Sequence, residues 1–307
     1  MILVSGAAGM VGRALLGELA DREVMATDLR AEGIPEGVRF ERMDVTSGDP
    51  ARVIAALRPE VVVHLASIVT PPPGMGREAA FAVDVTGTRN VLDACLRNGV
   101  RRLVVTSSGA AYGYHADNPV PLRESDPCRG NPEFAYADHK RQVEEMLAEA
   151  RLSAPQLEQV VLRVGTVLGA GTENQITALF RKPRLLAIRG SDSPFVFIWT
   201  RDLARILRRA ATDGPAGIFN VAGDGAMSVE DLARALGKGV VRLPARALKV
   251  ALGVAHPLGL SQYGPEQVRF LQYRPVLAND ALKTVFGYVP ELTSAEVFDL
   301  WRREAGL

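Results

Sequence analysis

The sequence predicts an α/β fold, in which a doubly wound parallel sheet is followed by a smaller mixed domain. Short apolar segments alternate with amphipathic segments through the first half of the chain, which is typical of a parallel sheet covered by helices. The segments predicted as strands are apolar on both faces, as buried parallel strands are. After residue 165 the alternation stops, and proline and glycine become frequent. We therefore expect a sheet domain over 1–165 and a substrate domain over 166–307, partly interleaved with the sheet.

Each element of the first half is predicted from its apolar pattern and its boundary residues. The expected strands are Ile2–Ser5, Val24–Asp28, Val38–Met43, Val61–Ala66, Leu103–Ser107 and Val160–Val164. The expected helices are Met10–Ala20, Pro50–Leu57, Arg77–Asn98 and Pro132–Ala150. Asn131 and Pro132 are a capping residue and a first-turn proline, so they predict the start of the last helix. Two loops, 70–76 and 112–131, follow the fourth and fifth strands, where ligands bind in such sheets.

The second half offers fewer regular elements. Phe195–Ile198 and Gly217–Val221 are strand candidates, and we expect this half to return a strand or a helix to the sheet. Ala247–Leu260 is predicted as an apolar helix with one lysine, too short to span a bilayer. Such a helix is expected in the core or in the wall of a pocket.

Composition excludes several classes of protein. The 307 residues carry 36 Lys and Arg against 35 Asp and Glu, and this balance of charge argues against a nucleic-acid partner. Cys95 and Cys128 form neither a disulfide framework nor a zinc quartet, which suits a reducing cytosol. The histidines have no metal-ligand spacing, so no metal is expected; they are His64, His115, His139 and His256. We expect a cytoplasmic protein with a small-molecule substrate and no membrane partner.

A glycine-rich turn joins the first predicted strand to the first predicted helix. It reads Gly6-Ala7-Ala8-Gly9-Met10-Val11-Gly12. Glycine permits a tight turn and lets the backbone approach a pyrophosphate, which the positive end of the helix attracts. A GxxGxxG pattern is expected by chance about 0.25 times in a chain of this composition, so its position between strand and helix carries the argument. We expect Gly6, Gly9, Met10, Val11 and Gly12 to bind a dinucleotide.

Acidic residues follow the second and third predicted strands. Asp28 ends the second strand, where a carboxylate accepts hydrogen bonds from ribose hydroxyls and repels a 2′-phosphate. This favours NAD over NADP, although Arg30 lies nearby and arginine can hold a 2′-phosphate. Asp44 and Val45 are predicted beside the adenine, with a simple turn as the alternative for Asp44.

Tyr136 and Lys140 stand four residues apart on a predicted helix and therefore share one face. A tyrosine that acts as a general base must ionise about three pH units below its usual pKa, a difference of roughly 4 kcal/mol. A cation about 4 Å away supplies roughly that energy at an effective dielectric constant near 20. Ser108 ends the fifth strand and is predicted to hydrogen-bond the same substrate oxygen, with Ser107 as the competing candidate.

These motifs together resemble the extended short-chain dehydrogenase/reductases, which include NAD-dependent epimerases and dehydratases. The resemblance rests on the glycine turn, Asp28, HLAS (64–67), VTGTRN (85–90), SSGAAYG (107–113), YADHK (136–140), LRVGTVLG (162–169) and DLARIL (202–207). It implies a Rossmann-type domain that binds NAD and catalysis by Ser108, Tyr136 and Lys140. It also implies cofactor contacts at Leu65, Ala66 and Ser67, and a homodimer formed through helices 77–98 and 132–150.

The chain departs from this family at two places. Asp84 stands where the family usually has asparagine. The segment Phe195-Val196-Phe197-Ile198-Trp199-Thr200 replaces a stretch whose arginine meets the diphosphate of a sugar nucleotide, so the substrate is expected to be small or largely apolar. Predicted substrate contacts are Ser108, Thr166, Phe195 and Trp199, while Arg269 or Arg274 would allow a phosphate.

Three reactions fit these residues: a dehydrogenase, an epimerase and a dehydratase. A dehydratase is the least favoured, because Gly109 and Ala110 follow Ser108 where a carboxylate is usual. The main alternative is an NAD-dependent sugar-nucleotide epimerase. An NAD-sensing regulator without turnover is the alternative from another class, although its relatives have usually lost the tyrosine or the lysine.

Overall fold

The computed structural model describes residues 1–72, 74–260 and 264–307, so Pro73 in the predicted loop 70–76 lies outside the described residues. The strands are β1 (Ile2–Ser5), β2 (Val24–Asp28), β3 (Arg39–Arg42), β4 (Val61–His64), β5 (Arg102–Ser108), β6 (Glu158–Val164), β7 (Thr166–Leu168), β8 (Arg184–Ile188), β9 (Phe197–Trp199), β10 (Gly217–Val221) and β11 (Gly239–Leu243). The first-half helices are α1 (Met10–Glu18), α2 (Asp49–Leu57), α3 (Arg77–Phe81), α4 (Gly87–Arg97) and α5 (Ala135–Ser153). The later helices are α6 (Gln175–Phe180), α7 (Thr200–Ala211), α8 (Val229–Ala235), α9 (Ala245–Ala255), α10 (Gln267–Gln272), α11 (Asp280–Thr284) and α12 (Ser294–Glu304).

Seven strands form the central sheet in the order β10-β6-β5-β4-β1-β2-β3, and each neighbouring pair is parallel. The chain adds strands on both sides of β1, so the predicted doubly wound, Rossmann-type sheet is confirmed. The six predicted strands lie within two residues of the observed bounds. Five of them are mostly buried apolar runs, as parallel strands usually are, whereas β3 is a partly exposed strand at the edge of the sheet.

Alternate residues of each central strand pack into different apolar layers. In β4, Val61 and Val63 pack in the layer that includes residues of α1 and α7, whereas Val62 packs with residues of α2, α4 and α5. Helices therefore cover both faces of the sheet, and the carboxyl ends of its strands remain accessible. Ligands bind at these strand ends in this architecture.

The residues after 165 form smaller units around the sheet and also contribute to it. Strands β7 and β9 pair with each other, as do β8 and β11, while β10 joins β6 in the central sheet. An aromatic cluster packs between these units; it contains Phe180, Phe195, Phe197, Phe298 and Trp301. The division of the chain at residue 165 stays a prediction.

Three helix predictions require correction. Helix α5 begins at Ala135 and not at Pro132, because the Asn131 side chain accepts a hydrogen bond from the Tyr114 amide (2.6 Å) instead of capping the helix. The predicted helix 77–98 contains a π-helical turn over Ala82–Thr86, between α3 and α4. The apolar helix predicted over 247–260 is α9. None of its residues is buried, so the core alternative is wrong, whereas Leu248 and Leu252 line a cavity, as the pocket-wall alternative predicts. Among the described residues, no helix has the length and apolarity needed to cross a bilayer.

Candidate active site

A cavity of about 940 Å³ lies at the carboxyl ends of β1, β4, β5 and β6. The first half of the chain contributes residues from the glycine turn, the β4 loop, the end of β5 and α5 to its lining; these are Met10, Val11, Leu65, Ser67, Ser107, Ser108, Tyr136 and Lys140. The second half contributes Thr166 and Phe195, together with the aliphatic side chains that follow them. The fold therefore brings most of the predicted site residues to one cavity.

Tyr136 and Lys140 lie on one face of α5, as their spacing predicts. The Lys140 Nζ donates a hydrogen bond to the Thr106 carbonyl (2.9 Å) and lies 5.6 Å from the centroid of the Tyr136 ring. Ser108 ends β5 and shares a hydrogen bond with Tyr136, while the Ser108 Oγ also accepts the Ala110 amide (3.1 Å). Ser107 lines the cavity too, and its buried Oγ has no partner among the described residues.

Burial dominates the acidity of Tyr136. Removal from water raises the pKa of the phenol well above its ordinary value, and the hydrogen bond with Ser108 opposes this rise only in part. Lys140 lies on the same side of the cavity as Tyr136, and its ammonium donates to the Thr106 carbonyl. That Lys140 does most of the lowering of the Tyr136 pKa stays a prediction. Burial also lowers the pKa of Lys140, and Asp84 and Glu144 oppose that shift.

Asp84 is buried within the π-helical turn and makes three hydrogen bonds through its carboxylate. Its Oδ1 accepts the Ser67 hydroxyl (2.8 Å) and the Ile68 amide (2.7 Å), and its Oδ2 lies 2.9 Å from the Nδ1 of His139. The hydrogen bond with His139 and the charge of Lys140 keep the pKa of Asp84 below its usual value against the opposing effect of burial. A carboxylate at this position thus holds the β4 loop to α5 and places a negative charge near Lys140 and Tyr136.

His64 connects the glycine-turn strand to the same π-helical turn. Its Nδ1 lies 2.7 Å from the Ser5 Oγ, and its Nε2 lies 3.0 Å from the Thr88 Oγ1. Thr88 in turn donates to the Asp84 carbonyl (2.6 Å). Burial lowers the pKa of His64 to about 3, so the imidazole is neutral at ordinary pH. This supports the expected structural role of His64.

The glycine turn has the geometry that a dinucleotide requires. Gly6 has a φ of +70°, and a Cβ there would lie 2.6 Å from the Ala66 nitrogen. A Cβ on Gly12 would lie 2.4 Å from the Gly6 carbonyl oxygen, so α1 starts directly against the turn. Gly9 occupies the N-cap without a side-chain cap, which leaves the helix amides to an anion. These residues fit the pyrophosphate of NAD.

Asp28 is half-buried at the end of β2, beside this turn. One carboxylate oxygen accepts the Ala8 amide (3.0 Å) and the other accepts the Leu29 amide (2.7 Å). An ionised carboxylate has further lone pairs that can accept ribose hydroxyls. Asp44 instead binds the amide and the hydroxyl of Thr46, which supports the turn alternative, and Val45 is buried against Gly87.

Arg274 and the aromatic rings around it form one wall of the cavity. The guanidinium lies 3.9 Å from the Phe195 ring centroid and 4.9 Å from that of Phe270, and its Nη1 donates to the Ser193 carbonyl (2.5 Å). Its Nε is buried without a partner among the described residues, and burial lowers the Arg274 pKa to about 9. Arg269 instead pairs with Glu133 at 3.3 Å.

The remaining predictions divide between the cavity and the core. Thr166 and Phe195 line the cavity, whereas Trp199 is absent from its described lining and packs against the aromatic cluster. Sequence reasoning missed Tyr114, which lines the cavity and stacks edge-on against Phe134 and Phe270. No sequence signal separates such an aromatic residue from a core residue. Among the described residues, no cluster of three His, Cys, Asp or Glu could hold a metal ion.

Comparisons with known proteins agree with this geometry. The profile of the NAD dependent epimerase/dehydratase family matches residues 2–222. An uncharacterized protein of Mycobacterium tuberculosis is 26% identical over 100% of this chain and 84% of its own length. UDP-glucose 4-epimerase of Azospirillum brasilense is 33% identical over 55% of this chain and 49% of its own length.

Two further proteins are similar to this chain. The Saccharomyces cerevisiae sterol-4-alpha-carboxylate 3-dehydrogenase, a decarboxylating enzyme, is 28% identical over 65% of this chain and 60% of its own length. The Bordetella bronchiseptica enzyme WbmG, crystallised with NAD and UDP, superposes with a TM-score of 0.76 at 20% identity, over 99% of this chain and 93% of its own. At that identity the superposition supports the fold alone.

Proposed function

Since the chain belongs to the NAD dependent epimerase/dehydratase family, we propose that it oxidises a secondary alcohol on a small or largely apolar substrate. It is thus an NAD-dependent enzyme of the extended short-chain dehydrogenase/reductase type. The observation that carries the proposal is the meeting of Ser108, Tyr136 and Lys140 in one cavity, beside the glycine turn. The turn, Asp28 and the β4 loop are the parts of this chain that would hold the cofactor.

Each of the three residues has a role set by its contacts. Tyr136 takes the proton of the substrate hydroxyl, and Ser108 holds the same oxygen by a hydrogen bond. Lys140 keeps a positive charge on the Tyr136 side of the cavity, where it favours the ionised phenol and can hydrogen-bond a ribose. NAD supplies the hydride acceptor in this chemistry. The buried Tyr136 must overcome its raised pKa, and positive charge close to the phenol is what lowers it.

The replacement Tyr136→Phe tests this mechanism directly. It removes the proton-transferring hydroxyl and keeps the ring, so we expect kcat to fall by about 10²- to 10⁴-fold. The dissociation constant for NAD, measured by calorimetry, should stay within a few fold of the wild-type value. Tyr114→Phe is the matched control, since Tyr114 is another tyrosine that lines the cavity and it lies outside α5. A Tyr136→Phe enzyme that keeps most of its kcat would reject the mechanism and favour the NAD-sensing regulator.

The apolar substrate is supported by the lining of the cavity. Phe195 stands where sugar-nucleotide enzymes are expected to have arginine, and many aliphatic side chains of the second half line the same space. A diphosphate carries about two charges, whose removal from water costs several kcal/mol unless cations meet them. The second half contributes only Lys182, Arg184 and Arg274 as cations to a lining that is otherwise mostly apolar. A substrate with a bulky hydrocarbon part fits this lining better.

The second candidate is a sugar-nucleotide epimerase, and Arg274 is the observation that favours it. Arg274 lines the cavity with an unpartnered Nε, so it could receive a phosphate. Calorimetry with UDP, GDP and dTDP on the NAD-loaded protein separates the two candidates. Micromolar binding of any of these, lost in Arg274→Met, would reject the apolar substrate and leave the Tyr136 mechanism intact.

Assembly and location are part of the same proposal. We expect a homodimer formed through the helical segment 77–98, which contains α3 and α4, and through α5 in a four-helix interface, together with a cytoplasmic location. Light scattering on the purified protein gives the oligomeric state.

A further inference from the structure

Helix α9 and the residues directly after it expose an apolar surface. The side chains of Val250, Val254, Leu258 and Leu260 are 69, 58, 66 and 79% exposed. Val250 and Val254 lie one turn apart on α9, and Leu258 and Leu260 follow soon after the helix ends. Single exposed apolar residues are ordinary, but four within eleven residues of chain indicate an interaction surface. We call these four residues the α9 patch.

The opposite side of α9 faces the cavity of the candidate active site. Leu248 and Leu252 line that cavity, and they alternate along the helix with Val250 and Val254. At 100° per residue, Val250 and Val254 share one face, and Leu248 and Leu252 lie on the other. The helix is therefore apolar on both sides, a pattern expected of a helix that is covered on both sides.

The charges around the α9 patch indicate what covers it. From Pro244 to Leu260 the sequence contains Arg246 and Lys249 and neither aspartate nor glutamate. Both cationic residues are exposed. A second copy docked by two-fold symmetry would bring the same cations together with no acid from this segment to compensate them. An anionic bilayer offers phosphates to the cations and acyl chains to the apolar side chains.

We infer that the α9 patch docks on the surface of an anionic lipid bilayer. Val250, Val254, Leu258 and Leu260 enter the boundary between headgroups and acyl chains, and Arg246 and Lys249 contact lipid phosphates. Because Leu248 and Leu252 line the cavity, this docking puts one wall of the cavity at the membrane. The expectation of no membrane partner rested on the lack of a spanning segment, which an interfacial helix does not need.

Co-sedimentation of the full chain with vesicles tests this inference without any turnover, so its outcome is independent of the proposed reaction. We expect binding to vesicles of equimolar phosphatidylcholine and phosphatidylglycerol, and much weaker binding to phosphatidylcholine alone. In the double variant Val250→Glu, Val254→Glu, the partition coefficient for vesicle binding should fall roughly tenfold for each valine replaced. Arg246→Gln with Lys249→Gln should remove most of the preference for the anionic lipid. Leu152→Glu is the matched control, because Leu152 is 87% exposed at the carboxyl end of α5.

Two kinds of result would overturn the inference. One is the absence of wild-type binding to the anionic vesicles, or binding that the valine replacements leave unchanged. The other is a solution dimer that these replacements convert to a monomer while vesicles bind neither form, which would assign the patch to a second copy. Thermal unfolding of each variant, followed by circular dichroism, separates a lost surface from a lost fold.

Discussion

His64 makes the stability of this protein sensitive to mild acid. The imidazole is buried between Ser5 and Thr88, and its pKa is lowered to about 3 from an ordinary value of 6.5. Burial is the main cause, the charge of Lys140 adds to it, and Asp84 opposes it. The unfolded chain therefore binds a proton at a pH where the folded chain does not. The stability that neutral His64 contributes is fully present above pH 6.5 and is lost as the pH falls toward 3.

The size of the loss follows from the difference in pKa. Each pH unit between the two values removes up to about 1.4 kcal/mol from the free energy of unfolding. Between pH 7 and pH 5 the titration of His64 lowers the free energy of unfolding by about 2 kcal/mol. Buried carboxylates such as Asp84 have their pKa lowered from 3.8, so they begin to contribute only below this window.

Urea unfolding at pH 7 and pH 5 measures this difference. We expect wild-type protein to lose about 2 kcal/mol more than His64→Gln over the interval, because glutamine offers hydrogen bonds to Ser5 and Thr88 without titrating. Leu152→Gln, at a position that is 87% exposed, is the control and should keep the wild-type dependence, because neither side chain titrates. Equal losses in wild type and His64→Gln would refute the burial argument.

Three further predictions concern the cavity. Lys140→Met removes the ammonium held by Thr106, so kcat should fall about a hundredfold or more and NAD should bind more weakly. An unchanged kcat in steady-state kinetics and an unchanged dissociation constant for NAD in calorimetry would contradict the catalytic and binding role of Lys140. Asp84→Asn keeps an oxygen for Ser67 and Ile68 but removes a negative charge that raises the pKa of Tyr136. The onset of activity in the pH profile of kcat should therefore move to lower pH. An unmoved profile would show that the charge of Asp84 does not affect the ionisation of Tyr136. Asp28→Ala should weaken NAD binding about tenfold and reduce the preference over NADP, as dissociation constants for both cofactors can show; tighter NADP binding by the wild type would mean that Arg30 dominates.

Much of the sheet and part of the site could be predicted because their signals are local. Strands such as β1 and β4 are continuous apolar runs, and the glycine turn must lie between a strand and a helix. The spacing of Tyr136 and Lys140 places them on one helical face wherever that helix packs. Each of these signals depends on neighbours within about one turn or one strand.

Other features depend on residues that are distant in the chain. Asp84 meets His139 across 55 positions, and His64 meets Ser5 across 59, so no sequence period announces either contact. The start of α5 was misplaced because Asn131 bonds Tyr114, a partner that its own capping preference does not reveal.

Hydrophobic period and turn chemistry act over short range, so the type and order of the first-half elements could be predicted from the sequence. Which side chains share buried space depends on the folded chain. It placed Arg274 between Phe195 and Phe270, excluded Trp199 from the cavity, and left one face of α9 exposed while the other lines the cavity. The physical reason is that burial and charge act through space. Arg274 loses its water, and Tyr136 has its pKa raised, only when the folded chain surrounds them.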